Sequence, residues 1–276
     1  MSLLSVKNLR VTFDTEAGRV EAVRGVSFNL DRERLGIVGE SGSGKTMTGR
    51  AVLRLIRPPG KIEADEMLFD GVDLMRVSEK EMRALRGPRI AMVMQDPKYS
   101  LNPVMKVGAQ LMEGLRQRDR IPKDQARAKA IEALNAVQIR DAERVMEAYP
   151  HELSGGMGQR VMIAMMLIPN PDLLIADEPT SALDVTVQAE VLSILDNLVK
   201  TRGMGLIFIS HDLRLVARFC DRVLVMYKGK VVEELAAKDL LHAKHPYTKG
   251  LLNCLPRIGG SREPLPSLDR DAAWAN

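Results

Sequence analysis

Aromatic residues are scarce in this chain of 276 residues: five Phe, four Tyr and one Trp, 4% in all. The scarcity argues against a stacking surface for single-stranded nucleic acid, which uses aromatic rings as base platforms. Strong charge of either sign is also missing, since 40 basic and 36 acidic residues leave a net charge of +4. No nucleic-acid partner is expected from so mild a balance. The densest basic stretch, Arg116 to Lys129, is interrupted by Asp119, Asp124 and Gln125 and reads as a solvated helical face. Cysteine is limited to Cys220 and Cys254, far apart and in no metal-ligand spacing. With no leader peptide in view, a reduced cytosolic setting is the expectation. Long apolar runs are absent as well: the most apolar, Val161–Ile168, is far short of the ~20 residues that span a bilayer. Any membrane attachment should therefore go through partners. What the chain does have is 45% hydrophobic residues, enough for a sizeable core in one large domain with attachments or in two small ones.

Against that background one stretch stands out. Gly39-Glu40-Ser41-Gly42-Ser43-Gly44-Lys45-Thr46 fits Gly-x4-Gly-Lys-Ser/Thr. In such a loop the backbone N–H groups wrap a di- or triphosphate, the lysine adds charge and the hydroxyl offers an oxygen to Mg²⁺. Its context agrees: Leu35–Val38 reads as a buried strand and Thr46–Ile56 as a helix, so the loop sits at a helix N-terminus, where N–H dipoles favour anions.

The rest of the chain can be asked what it adds to a bound nucleotide. Ser5–Phe13 and Val20–Leu30 predict an antiparallel hairpin about the turn Asp14–Arg19. Phe13 falls where a flat ring could stack on a base or serve as core. Arg57-Pro58-Pro59-Gly60 breaks the pattern, Met67–Phe69 with Asp70-Gly71 restarts a short strand, and Ser78-Glu79-Lys80-Glu81 has the form of a capping box. Ile90–Met94 reads as a buried strand that delivers Gln95 to its carboxyl end, the edge where open α/β sheets bind ligands. From Val104 to Glu147 the period turns helical. Ser154-Gly155-Gly156 then opens another helix, either as a second anion site made of a hydroxyl and bare N–H groups or as an ordinary N-cap.

Leu173–Ala176 is a short apolar strand ending in Asp177-Glu178. In a chain with a phosphate loop the pair fits a division of labour, Asp177 holding Mg²⁺ and Glu178 orienting the attacking water. Leu206–Ile209 delivers His211, one of four histidines, to the same kind of edge, where it could contact phosphate. Val223–Tyr227 and Lys230–Glu234 about Lys228-Gly229 predict a closing hairpin. Pro256–Asn276, with its Gly-Gly, Pro and charge, is expected to be a partly mobile tail.

Taken as a set, Gly39–Thr46, Gln95, Leu153–Met157, Leu173–Glu178, Ser181–Asp184 and His211 resemble the ATPase subunits of ABC transporters, over nearly all of residues 3 to 255. Local wording is similar to the bacterial subfamily that imports peptides, nickel and opine-like solutes: Gln95-Asp96-Pro97, Ala176-Asp177-Glu178-Pro179-Thr180 and His245-Pro246-Tyr247-Thr248. The resemblance implies an α/β fold, a P-loop NTPase (RecA-like) core with an antiparallel β subdomain and an inserted α-helical subdomain. On it the core comprises residues 1–96 and 157–235, the helical insertion 97–156 and a carboxyl extension 236–276. It implies ATP and Mg²⁺ as ligands, with Thr46, Gln95 and Asp177 placing the metal, Glu178 polarising water and His211 on the γ-phosphate. It also implies a head-to-tail pair in which Ser154, Gly155 and Gly156 of one subunit close on nucleotide held by the other, with Asp184 in the loop that communicates across the pair. The expected partners are a second ATPase subunit, different or identical, two transmembrane permeases and, indirectly, a solute-binding protein, all at the cytoplasmic face of the bacterial inner membrane.

The chain departs from that pattern at Gly158, where a polar residue is usual, and at Asp31–Arg34, where a Gly-containing turn is usual. With only Cys254 near the carboxyl end, no iron–sulfur cluster is expected. A P-loop kinase or GTPase would not need Leu153–Met157. ABC ATPases outside transport bring coiled-coil arms, zinc cysteines or two fused cassettes, which this sequence does not show.

Overall fold

The structure is a computed structural model describing residues 2–16, 18–94, 100–118, 120–181, 183–255 and 274. Its contacts divide the chain into two compact units, Met1–Val77 with Ile207–Asn276, and Ser78–Leu206.

In the first unit, β1 (Leu4–Thr15) and β2 (Gly18–Leu30) form a long antiparallel hairpin registered from Leu4↔Leu30 to Thr15↔Gly18. Leu4, Val6, Leu9 and Val11 are at most 1% exposed, and burying each such side chain contributes roughly 1.5–3 kcal/mol. The sheet is extended by β4 (Gly60–Glu63) and β5 (Glu66–Phe69) on β1, and by β6 (Val72–Asp73) on β5. Asp70 and Gly71 join β5 to β6 with φ of 48° and 79°, the pair of positive values a tight hairpin needs to match strand twist.

The same unit carries β3 (Arg34–Val38), parallel to β10 (Arg222–Tyr227), which in turn pairs antiparallel with β11 (Lys230–Ala236). The strand order is β11-β10-β3-β9, where β9 is Gly205–Ile209. Leu35, Ile37 and Val38 are fully buried, as expected for a strand covered on both faces. Helix α1 (Lys45–Val52) follows β3, α8 (Leu213–Phe219) follows β9, and α9 (Pro246–Asn253) lies in the carboxyl extension. The α1 helix is shorter than the 46–56 span the sequence predicts. It stops because Arg54 takes φ 52°, sending its guanidinium to the carbonyls of Leu74 (3.2 Å) and Val77 (2.7 Å).

In the second unit, α2 (Glu79–Leu85) begins with the predicted capping box, in which Ser78 Oγ accepts from the Glu81 N–H and Glu81 accepts from the Ser78 N–H. Strand β7 (Ile90–Val93) pairs parallel with β8 (Leu173–Asp177), in register from Ile90↔Leu173 to Val93↔Ala176. Between them come α3 (Val107–Arg118), α4 (Lys123–Ala136), α5 (Ala142–Glu147) and α6 (Gly155–Leu167), with Leu111, Leu115, Ala130, Leu134, Met146 and Val161 in their shared core. Helix α7 (Val185–Arg202) closes the unit, capped by Asp184 at its start and by left-handed Gly203 at its end. Among the described residues no helix is long and apolar enough to cross a membrane. Apart from Trp274, the predicted tail 256–276 lies outside the described residues.

Candidate active site

In the first unit the loop from Gly39 to Thr46 leaves β3 and turns directly into α1. Its backbone doubles back on itself, the Ser43 N–H donating to the Glu40 carbonyl at 3.1 Å. From behind, the loop is fixed to the β10–β11 turn, since the Gly229 N–H donates to the Ser43 carbonyl at 3.0 Å. This close fit explains two of the glycines. A Cβ on Gly39 would stand 2.2 Å from the Met226 carbonyl oxygen, and one on Gly44, at φ 100°, would stand 2.5 Å from that of Ala22. No side chain fits at either place.

Lys45 is 6% exposed, and its ammonium donates to the carbonyls of Gly39 and Glu40, both at 2.8 Å. A buried cation thus lies across the mouth of the loop, placed where a phosphate would accept its hydrogen bonds instead. The Ser43 hydroxyl is buried with no hydrogen-bond partner among the described residues, a cost that a phosphate oxygen would relieve. A cavity of about 330 Å³ opens along Glu40, Ser41, Gly42 and Ser43. These features fit a polyphosphate. Thr46 is the second residue of α1 and half-buried.

His211 belongs to this unit too. The Ser210 N–H donates to the Ile37 carbonyl at 3.1 Å, so the chain leaves β9 beside the place where β3 becomes the loop. His211 is exposed there, between Ser210, whose hydroxyl accepts from the Asp212 N–H (3.0 Å), and Asp212, the N-cap of α8. Phe13 is half-buried near the end of β1, and its ring edge would meet a Cβ on Gly60 at 2.7 Å.

In the second unit, Asp177 ends β8 and is 4% exposed. Glu178 follows with φ 47°, an uncommon conformation for a non-glycine residue. Its carbonyl accepts from the Ser181 N–H (3.3 Å) and hydroxyl (3.2 Å), which holds the turn in that shape. Gln95 lies outside the described residues. The β7–β8 register, with Val93 beside Ala176, nevertheless brings Met94 and Asp177 to the same sheet edge.

The Ser154 turn is open by comparison. Ser154 caps α6, its hydroxyl accepting from the Met157 N–H at 3.3 Å, and both Ser154 and Gly155 are exposed. A Cβ on Gly155 would meet nothing within 4 Å, whereas one on Gly156 would stand 2.7 Å from Val187 Cγ1. Gly156 therefore lets the start of α6 lie against the first turn of α7. That turn is set by Asp184, whose carboxylate accepts from the Thr186 and Val187 N–H groups at 3.0 Å each. Val187 thus links the turn at Ser154–Gly156 to the one at Asp184. Gly158, at one of the departures from the family pattern, is buried within α6.

The Thr46 hydroxyl in the first unit and the Asp177 carboxylate in the second are each an oxygen donor of the kind that suits Mg²⁺, a hard cation that takes few protein ligands and keeps water or phosphate oxygens for the rest. Among the described residues no group of three or more His, Cys, Asp or Glu could hold a metal ion.

The ABC transporter family pattern matches residues 23–181. The oligopeptide transport ATP-binding protein OppD of Bacillus subtilis (strain 168) is 50% identical over 264 residues, 95% of this chain and 74% of that protein. The dipeptide transport ATP-binding protein DppD of Escherichia coli (strain K12) is 47% identical over 270 residues, 97% of this chain and 83% of that protein. Among solved structures, a bacterial ABC transporter cassette in its dimeric form superposes with a TM-score of 0.76 at 28% identity, covering 85% of this chain and 98% of that one. The same cassette in a post-hydrolysis state bound to ADP and Pi superposes equally well. The chain belongs to the ABC transporter family, as an ATP-binding and ATP-hydrolysing cassette with the P-loop NTPase fold.

Proposed function

We propose that this cassette drives a bacterial importer of oligopeptides or dipeptides, working as a peripheral subunit at the cytoplasmic face of the inner membrane. The observation that carries the ATP half of the reading is the buried Lys45 ammonium, held at 2.8 Å on loop carbonyls beside the unpartnered Ser43 hydroxyl. The import half is supported by relatives at 50% and 47% identity whose names specify oligopeptide and dipeptide transport.

On this reading Lys45 and the loop N–H groups of Gly42–Thr46 bind the triphosphate, and Phe13 offers its ring to the base. Thr46, Gln95 and Asp177 would hold Mg²⁺, which would supply charge neutralisation at the phosphates. Glu178 orients the attacking water and accepts its proton, and His211 contacts the γ-phosphate as charge shifts onto the leaving oxygen. Positioning and electrostatics do most of the work, because phosphoryl transfer asks for little covalent chemistry from the protein. Ser154, Gly155 and Gly156 of a second ATPase subunit close over the same triphosphate, and Asp184 couples the two subunits. ATP binding then draws the pair together, hydrolysis releases it, and two permease subunits convert the cycle into import of solute handed over by a binding protein.

The test is reconstitution. The chain is placed in liposomes with the permeases, any second ATPase subunit and the solute-binding protein encoded beside it, and ATP hydrolysis and uptake are followed together. Peptide-loaded binding protein should stimulate both. Stimulation by nickel or an opine-like solute, and not by peptides, would overturn the substrate class, and hydrolysis without any permease-dependent uptake would overturn the transport role.

A further inference from the structure

The His245-Pro246-Tyr247-Thr248 stretch has no part in the catalytic scheme, yet it is built into the wall of the phosphate loop. Glu233 of β11 accepts from the N–H groups of Lys244 (2.7 Å) and His245 (3.1 Å), which fixes where the chain turns. Burial works to raise the Glu233 carboxyl, but the surrounding donors, the N–H groups of Lys244 and His245 among them, outweigh it and leave it below the usual carboxylate value. His245 then caps α9, its Nδ1 accepting from the Tyr247 N–H at 3.2 Å, and Pro246 occupies the first helical turn, where a missing N–H costs nothing. The outcome is a fully buried Tyr247. Its ring lies 4.4 Å from that of Tyr227 and 5.9 Å from that of Trp274, and its hydroxyl accepts from the Glu40 N–H at 3.0 Å.

That N–H belongs to the peptide unit joining Gly39 to Glu40, the first of the loop. The carbonyl of the same unit accepts from the Lys45 ammonium at 2.8 Å. The unit is thus gripped at both ends, by Lys45 from within the loop and by Tyr247 from outside it. When a triphosphate takes up the Lys45 hydrogen bonds, the inner grip is released and the outer one remains.

We propose that Tyr247 is a positioning residue for the nucleotide: it pins the Gly39–Glu40 peptide so that the loop keeps its phosphate-binding shape once Lys45 turns to the phosphates. The proposal rests on the nucleotide reading of the loop and extends the working site to the carboxyl-terminal segment. Tyr227 supplies the control. It shares the aromatic stack, but its own hydroxyl is buried with no hydrogen-bond partner among the described residues.

The experiment uses the full chain and measures ATP affinity in the presence of Mg²⁺ for wild type, Tyr247→Phe, Tyr227→Phe and Lys45→Ala, with the urea unfolding midpoint of each nucleotide-free protein alongside. Tyr247→Phe keeps the ring and loses one hydrogen bond, which should lower the unfolding midpoint of the nucleotide-free protein slightly and ATP affinity about three- to tenfold, because that bond alone holds the peptide once Lys45 turns to the phosphates. In the reconstituted transporter the loss should appear in KM and leave kcat unchanged, the signature of lost uniform binding. Tyr227→Phe should bind as wild type. Trp274, the one tryptophan of the chain, gives an optical readout of the same cluster. Wild-type affinity in Tyr247→Phe, an equal loss in Tyr227→Phe, or a loss carried by kcat with KM unchanged would each overturn the proposal. Wild-type affinity in Lys45→Ala would instead overturn the nucleotide reading itself.

Discussion

The two glycine-rich turns offered to phosphate are built in opposite ways. At Gly39–Thr46 the loop is backed by β10 and β11, Lys45 and Ser43 are buried, and a Cβ on Gly39 or Gly44 would strike backbone oxygen. At Ser154–Gly156 the hydroxyl and the first glycine face solvent. The first has the features of a finished site. On the proposed reading the second is half a site, presented outward for a ligand held elsewhere. A subunit made this way would, on the proposed mechanism, bind nucleotide by one turn and recognise bound nucleotide by the other, which would suit a device that must form and dissolve a pair.

The largest expected effect keeps both turns and removes the chemistry. Glu178→Gln should lower turnover by about a thousandfold, within the range for a lost general base, while ATP still binds and holds the pair closed. Size-exclusion chromatography with ATP, run beside phosphate release, checks both halves of the statement. Ser154→Arg attacks only the open turn: nucleotide should bind the single chain with wild-type affinity while pair-dependent hydrolysis drops to background. Joint loss of both would break the contrast between the turns. Lys45→Ala attacks only the finished turn and should weaken ATP binding by roughly ten- to a hundredfold, the worth of charge-assisted hydrogen bonds, as measured by calorimetric titration. The smallest effect separates neighbouring glycines. Gly156→Ala must displace Val187 and should cost about 1–3 kcal/mol of stability, whereas Gly155→Ala meets open space and should stay within about 0.5 kcal/mol. Urea melts of the two variants would show whether the tight contact is where the structure puts it.

What could be read from sequence was what is made by neighbours in sequence. The phosphate loop closes on itself within eight residues, the Ser78 capping box within four, and the Asp70-Gly71 and Lys228-Gly229 turns through paired positive φ values. The strands β3 and β8 announced themselves because burial on both faces leaves an unbroken apolar run. What escaped depends on distant partners. Strand β4 has a single aliphatic side chain, Ile62, and exists through its pairing with β1. Helix α1 stops early because Arg54 finds acceptors at Leu74 and Val77. Tyr247 reaches Glu40 across 207 positions. Its motif was visible as family wording, but nothing in the wording says what the hydroxyl touches. In the same way Ser154–Gly156 could be read as an anion site or a plain cap, and only the packing of Gly156 on Val187 ties it to the turn at Asp184.

Glu178 carries its carboxylate on backbone that a non-glycine side chain resists. Glycine tolerates that geometry readily and repays the relief only through a looser unfolded chain. Drift toward glycine there is therefore nearly free in folding terms. A library sorted for solubility or heat resistance would carry such variants forward unnoticed, full of well-folded cassettes that, on the role proposed for Glu178, would clasp ATP without turning it over.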